Sequence, residues 1–408
     1  MSAHAGSVET RTSWVVATVA LIVLSVSYGA PLTTMVALKP IAAEFGATRS
    51  APALAVGLTF IGAGFGGIAM GWLSERIGVR AVVIFGATMI GTGLTISSLG
   101  GLTQLYISSF LLVGLLGAAG MFAPLMTYVS RWFDVRRGTA IALISAGQYV
   151  AGALWPAVFQ LGIDTIGWRH TMLVYAVFVV VLIVPLAILL RRPPDAAAPG
   201  GLHAEPRVGE KVLGLRPNLV LAALAFASFC CCTTMSMPMA HMVAFCSDIG
   251  IGPTQGAAML SVLLGSAFFA RQFWGWMADR VGGLRTIFLA SAAQAAAMAG
   301  FLVTQDEIGL FTISAVFGFG FGGLIPGYVL AVRELFPASE AGWRIPTMLF
   351  PGSLGMAAGG WLAGVMYDRF AFYAPAFAVG VLFNLLNLAV IGALVLRHRP
   401  SRLSPIAA

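Results

Sequence analysis

From Trp14 to Leu396 the chain alternates apolar runs with short polar turns, and the runs share one length. About 20 helical residues, each rising about 1.5 Å, cross the hydrocarbon of a bilayer. Applying that length gives twelve segments: 14–38, 52–74, 81–99, 105–130, 138–163, 170–190, 218–243, 255–277, 285–303, 308–333, 342–366 and 374–396. Charged residues make up only 9% of the sequence, where a water-soluble domain carries roughly 25%. So little charge cannot cover a water-soluble core, and most of the surface must face lipid. The first segment is longer than a signal-peptide core and is read as an uncleaved span.

The same short pattern ends the second segment and the eighth. GWLSERIGVR begins at Gly71 and GWMADRVGGLR begins at Gly275, an offset of 204 residues (275 − 71) in a chain of 408. The chain is therefore two homologous halves of six segments each. The expected architecture is an all-α integral membrane protein, with twelve transmembrane helices in two six-helix pseudo-symmetric bundles. One bundle covers 1–190 and the other 218–408. Between them, 191–217 contains RRPPDAAAPGG and no apolar run, so it reads as a cytoplasmic linker.

Basic residues give the orientation. Lys39, Arg49, Arg169 and Arg369 fall on one side of the spans and Arg271 falls inside one, whereas the other eighteen of the 23 lie on the side of the termini. The positive-inside rule places both termini in the cytoplasm. The net charge of +8 is thus a topology signal, and no nucleic-acid partner is expected. Cys230, Cys231 and Cys232 are consecutive in an apolar run and Cys246 follows it. They lack metal-ligand spacing and a CxxC pair, so no metal, cofactor or enzymatic activity is expected.

Each copy of the repeated loop sets an acid before an arginine, Glu75 and Arg76, then Asp279 and Arg280, and follows with Gly78 or Gly282. The glycine suits a tight turn, and the acid can cap a helix or pair with an arginine. Gly71, Glu75, Arg76, Gly275, Asp279 and Arg280 are read as a clasp that holds the halves in an outward-open state.

Arg271 stands eight residues before Asp279, roughly 12 Å along a helix from the loop. A charge at that depth costs at least a few kcal/mol unless it faces a wet cavity or a counter-ion. All fifteen acids fall in loops, tails or span ends, so none neutralises it at mid-membrane and an acidic substrate is favoured. A guanidinium can hold a carboxylate through two parallel hydrogen bonds. Tyr28, Phe122, Gln148, Tyr149 and Tyr328 are candidate cavity-wall residues. His241, the one histidine well inside a span, is a candidate for gating or proton acceptance.

The repeated loop resembles the GxLaDrxGrR signature of the major facilitator superfamily, found between helices 2 and 3 and between helices 8 and 9. Three stretches further resemble its monocarboxylate and oxalate/formate transporters: RWFDVRRGTAIALISAGQYVAG (131–152), MPMAHMVAFCSDIGI (237–251) and GGWLAGVMYDRFAFYAPAF (359–377). In those transporters a helix 8 arginine, four residues before the corresponding glycine, clamps the substrate carboxylate. Arg271 stands four before Gly275, and the resemblance carries that role to it. Two departures accompany the match. Animal proton-coupled carriers place an aspartate four residues before the arginine and a lysine after a helix 1 proline, where this chain has Ala267 and Leu32. Oxalate carriers place a second cation in helix 11, where this chain has Phe350, Pro351 and Gly352.

The resulting expectation is a transporter of a small monocarboxylate, working by alternating access as a monomer in the bacterial inner membrane, with a proton or counter-anion as co-substrate. The alternatives are an exporter of larger amphipathic compounds and an anion exchanger of the oxalate/formate type.

Overall fold

The computed structural model describes residues 9–133, 136–190 and 211–398, so most of the expected linker lies outside the described residues. All twelve expected spans are helical. Span 1 comprises Arg11–Ser27, Gly29–Val36 and Leu38–Glu44, span 2 is Ser50–Ile77 and span 3 is Val79–Leu99. Span 4 runs through Leu102–Ile107, Ser108–Ala118 and Ala119–Ser130. Spans 5 and 6 share Arg137–Ser145 and Gly147–Ile188. Spans 7, 8 and 9 are Pro217–Asp248, Pro253–Val281 and Gly283–Val303. Span 10 comprises Glu307–Phe321 and Leu324–Leu335, span 11 is Ala338–Phe370 and span 12 is Ala374–Arg397.

Two details differ from the sequence reading. The turn expected between spans 5 and 6 is a single kink, where Gly167 takes φ 78° with helix on either side. Only a residue without Cβ adopts that conformation cheaply, so one glycine does the work of a loop. Span 4 is not a plain α-helix, because Ser108–Ala118 is wound as a π-helix. There its backbone presses on span 2: a Cβ on Gly62 would lie 2.3 Å from the Phe110 carbonyl oxygen, and one on Gly114 would lie 2.6 Å from that of Thr59.

The neighbours of one half recur in the other with six added to each span number. Span 2 packs on span 4 and span 8 on span 10, while span 3 packs on span 6 and span 9 on span 12. The halves meet along spans 2 and 11 and along spans 5 and 8. Small residues make both seams possible, since no hydrophobic effect draws helices together in lipid. A Cβ on Gly364 would come within 2.7 Å of the Ser50 Cα, and one on Gly152 within 2.4 Å of the Leu264 Cβ.

Three bends in the spans expose backbone groups, and in each case a side chain takes one of them up. Span 1 bends at Tyr28, ahead of Pro31. The carbonyls of Ser25 and Val26 there accept from Trp155 Nε1 at 2.9 Å and Tyr175 Oη at 2.6 Å. Span 10 breaks after Phe321, and Trp274 Nε1 donates to the Phe319 carbonyl at 2.7 Å. The third bend, in span 5, shapes the site.

Candidate functional site

Between the halves lies a cavity of about 1120 Å³, walled by spans from both sides. The span 1 bend brings Tyr28 to it, and Phe122, Gln148, Tyr149 and Arg271 line it as well. Tyr28 and Phe122 meet edge to face, with ring centroids 6.2 Å apart. Most of the remaining wall is apolar and rich in sulfur, with Met35, Met126, Met235, Met239 and Met356.

Arg271 is held there by the geometry of the spans 5 and 8 seam. From the close approach of Gly152 and Leu264, seven residues along each antiparallel helix lead to Ser145 and Arg271 (152 − 145, 271 − 264). Span 5 breaks at this point: Tyr149 N–H turns to the Ala146 carbonyl, which releases the Ser145 carbonyl that a regular helix would have paired with it. Arg271 Nη1 donates to that carbonyl at 3.2 Å and to Ser145 Oγ at 2.8 Å, while Nη2 donates to Tyr149 Oη at 3.0 Å. The guanidinium carbon also lies 4.7 Å from the centroid of the Tyr149 ring. Arg271 is 9% exposed. Among the described residues no carboxylate pairs with it, and its Nε has no hydrogen-bond partner.

Two residues expected at the substrate site, Tyr328 in its wall and His241 as a gate or proton acceptor, stand away from the cavity, and their position is corrected. Tyr328 is fully buried inside the second half, where its hydroxyl donates to Asn387 Oδ1 at 2.7 Å. His241 is 0% exposed and packs among spans 7, 11 and 12 instead of reaching the cavity. Mid-span depth picked Tyr328, and its residue type within a span picked His241, but neither signal says which way a helix face turns. Conversely, Ser145, Gln272, Trp276 and Arg333 line the cavity and were not singled out. Ser145 was findable, since it lies four residues before Tyr149 on the same helical face.

On the side of the termini the second repeat borders the cavity, where Gly275 and Trp276 form part of the wall, whereas no described residue of the first repeat lines it. Gly71 lies within span 2, two turns before its end, and Gly78 and Gly282 take φ 86° and 83°, as tight turns at equivalent places require. Glu75, Arg76 and Arg280 are exposed. Each arginine lies over the tryptophan of its own repeat, Arg76 over Trp72 and Arg280 over Trp276, both at 3.8 Å. The side chain of Asp279 lies outside the described residues. At the start of span 9 the Glu334 carboxylate accepts the Gly283 N–H at 2.8 Å.

On the opposite face the halves are sealed by charge. Arg49 of the first half pairs with both carboxylate oxygens of Asp248 in the second, and Lys39 reaches Asp248 Oδ1 at 3.0 Å. A cavity walled at mid-depth, sealed by ion pairs on one face and bordered by separate loops on the other, can expose a bound solute to one side at a time.

The comparisons with known proteins agree with this architecture. The chain is 29% identical over 401 residues to monocarboxylate transporter 11 of Mus musculus, covering 94% of this chain and 80% of that protein. It is 27% identical over 328 residues to monocarboxylate transporter 13 of Rattus norvegicus, covering 78% and 74%. The MFS transporter asaE of Aspergillus flavus is 25% identical over 293 residues, covering 70% and 64%. Among solved structures, a mutant of the nucleoside transporter NupG superposes with a TM-score of 0.75 at 12% identity, covering 95% of this chain and all (100%) of that one. The family model described as Major Facilitator Superfamily matches residues 16–342 and 223–408. Twelve spans, two halves related by a six-span shift and this match agree: the chain is a multi-pass membrane transporter that belongs to the major facilitator superfamily.

Proposed function

We propose that the chain carries an organic monocarboxylate across the membrane by alternating access, and that Arg271 holds the carboxylate. One observation carries the reading: a buried guanidinium on the wall of the cavity between the halves, bonded among the described residues to neutral groups of the opposite half. The desolvated cation is matched by a solute anion, which receives charge-assisted hydrogen bonds from a fork already oriented by Ser145 and Tyr149. Tyr28, Gln148 and Phe122 complete the wall around the bound acid. Two relatives named monocarboxylate transporters support the same substrate class.

The bundles span 1–190 and 218–408 with 191–217 as their linker. Both termini lie in the cytoplasm and the chain works as a monomer in a bacterial inner membrane. The loops carrying Gly71, Glu75, Arg76, Gly275, Asp279 and Arg280 clasp when the cavity opens the other way. A proton or a counter-anion drives the cycle.

The test is transport by purified protein in liposomes, with labelled acetate, lactate, pyruvate and oxalate and with larger aromatic monocarboxylates, each with and without a pH gradient. Uptake or exchange of at least one monocarboxylate is expected. Arg271→Lys keeps the charge but loses the planar fork and should reduce transport at limiting substrate about 100-fold. No movement of any acid, or an unchanged Arg271→Lys, overturns the carboxylate reading.

A second reading, export of larger amphipathic compounds, is favoured by the methionine and phenylalanine content of the cavity wall. Flexible thioethers adapt to many shapes. Competition for transport by neutral amphipaths, undiminished in Arg271→Lys, would select it.

A further inference from the structure

The sealed face contains a histidine that the substrate cavity does not use. Its surroundings fix the protonation state of that ring. Arg49, at the start of span 2, belongs to the first half. Its guanidinium pairs with Asp248 at the end of span 7, donates from Nη1 to Tyr373 Oη at 3.0 Å, and lies 3.7 Å from the Tyr367 ring centroid. Asp368, at the end of span 11, accepts the backbone N–H of Arg49 at 2.8 Å and of Ser50 at 3.0 Å. A carboxylate of one half thereby caps a helix of the other.

His241 lies two turns before Asp248 on span 7 and behind this seal. Its Nε2 is 2.8 Å from the Gly360 carbonyl oxygen, which can only accept, so Nε2 carries a hydrogen. Its Nδ1 is 3.0 Å from Tyr373 Oη. That oxygen already takes the Arg49 N–H, and the phenol's one hydrogen is directed to Nδ1. The chain of donors therefore runs from Arg49 through Tyr373 to His241 and ends on Gly360, and it requires a neutral ring with a lone pair on Nδ1.

A proton on Nδ1 breaks this chain at one point. Two donors would then face each other across 3.0 Å, so the phenol hydrogen must turn away. The charged groups around the ring are Arg49 and Lys39 from the first half and Asp248 and Asp368 from the second, with Tyr367 and Tyr373 as the other titratable groups. Cys246 on the same span faces Met259 of span 8 at 3.4 Å, and Glu307 at the start of span 10 lies on the side of Cys246. The two cations and two acids balance. A third cation upsets the balance, and it adds to the second half a charge that repels Arg49 of the first. Separating the halves at this face relieves that repulsion.

We propose that His241 is the proton-binding group that controls the seal: when it takes a proton, Tyr373 and Arg49 are released and the face opposite the termini opens. By linkage, opening of that face in turn favours proton uptake, so the cycle gains a coupling site away from the substrate arginine. The inference does not depend on which solute Arg271 holds.

The test uses the full chain in liposomes, spin-labelled at Ala43→Cys and Gln305→Cys, two exposed positions on this face and on opposite halves. The native cysteines are buried. The distance distribution, measured without substrate, reports the ratio of open to sealed molecules. One proton taken up on opening changes that ratio by at most about tenfold per pH unit; the ratio should stay level above the ordinary histidine value of about 6.5 and rise by up to that factor per unit as the pH is lowered below it toward about 5. His241→Gln, which keeps a donor for Gly360 and an acceptor for Tyr373 but takes no proton, should give a flat profile. Tyr373→Phe, which removes the hydroxyl relay, should favour the open form and lower the slope, and it serves if the glutamine variant does not fold. A wild-type ratio independent of pH, or a His241→Gln profile as steep as wild type, overturns the proposal. The second result would assign the pH response to a group of the seal other than His241.

Discussion

The two faces where the halves meet are built from similar residues and use them differently. On the face opposite the termini, arginine, lysine and aspartate pair across the halves, and Arg49 is largely withdrawn from water at 13% exposure. On the face of the termini the repeated loops also hold arginines, yet Arg76 and Arg280 each turn back onto the tryptophan one helical turn before them. A desolvated ion pair resists separation far more than a solvated cation over a ring. Sequence composition alone does not distinguish the faces; the partner each arginine has found does. The difference indicates that one face is locked while the loops of the other are held in reserve, each on its own helix.

Three changes would break or sharpen that contrast. Arg49→Ala removes the ion pairs, the bond to Tyr373 and the stack on Tyr367 together. It should lower the sealed fraction by about 2 kcal/mol, or roughly 30-fold, read as faster labelling of a cysteine introduced at Ser50. Tyr149→Phe acts between the faces: Arg271 keeps the ring and Ser145 but loses one hydrogen bond of about 1 kcal/mol. Substrate affinity should change about fivefold with little effect on labelling at Ser50. A larger shift in labelling than in affinity would show that Tyr149 holds the halves and not the solute. Joint replacement of Trp72 and Trp276 by Ala frees Arg76 and Arg280 to reach across the mouth. A two- to fourfold shift away from the present conformation is expected, seen as a shorter distance between labels on the two loops. If that distance lengthens or stays fixed, the tryptophans do not hold the arginines in reserve.

Much of the fold was legible because apolar length and backbone satisfaction in lipid are local properties. All twelve expected segments are helices, and their duplication appears in the packing as a six-span shift. The departures are also local in cause. Gly167 replaces a turn because a single glycine can adopt φ 78°, and span 4 widens where Gly62 and Gly114 let two backbones touch.

The site was legible only in part. Arg271 announced itself, since a lone cation in an apolar run has few inexpensive places to go. Tyr28, Phe122, Gln148 and Tyr149 reach the same cavity, whereas Tyr328 and His241 face into the second half. Which way a side chain turns depends on the rotation of its helix against its neighbours. That rotation is set by close approaches such as Gly152 on Leu264, made by residues more than a hundred positions apart.

The sequence by itself determined the solvent, the number of spans, the duplication and the presence of a cation deep in a span with no acid beside it, because each follows from how apolar and charged residues are distributed along the chain. Only the tertiary structure decided that Arg271 is met by span 5 of the other half, that His241 belongs to the seal and not to the cavity, and which face is shut. Those are relations between helices brought together by packing, and no local run of residues encodes them.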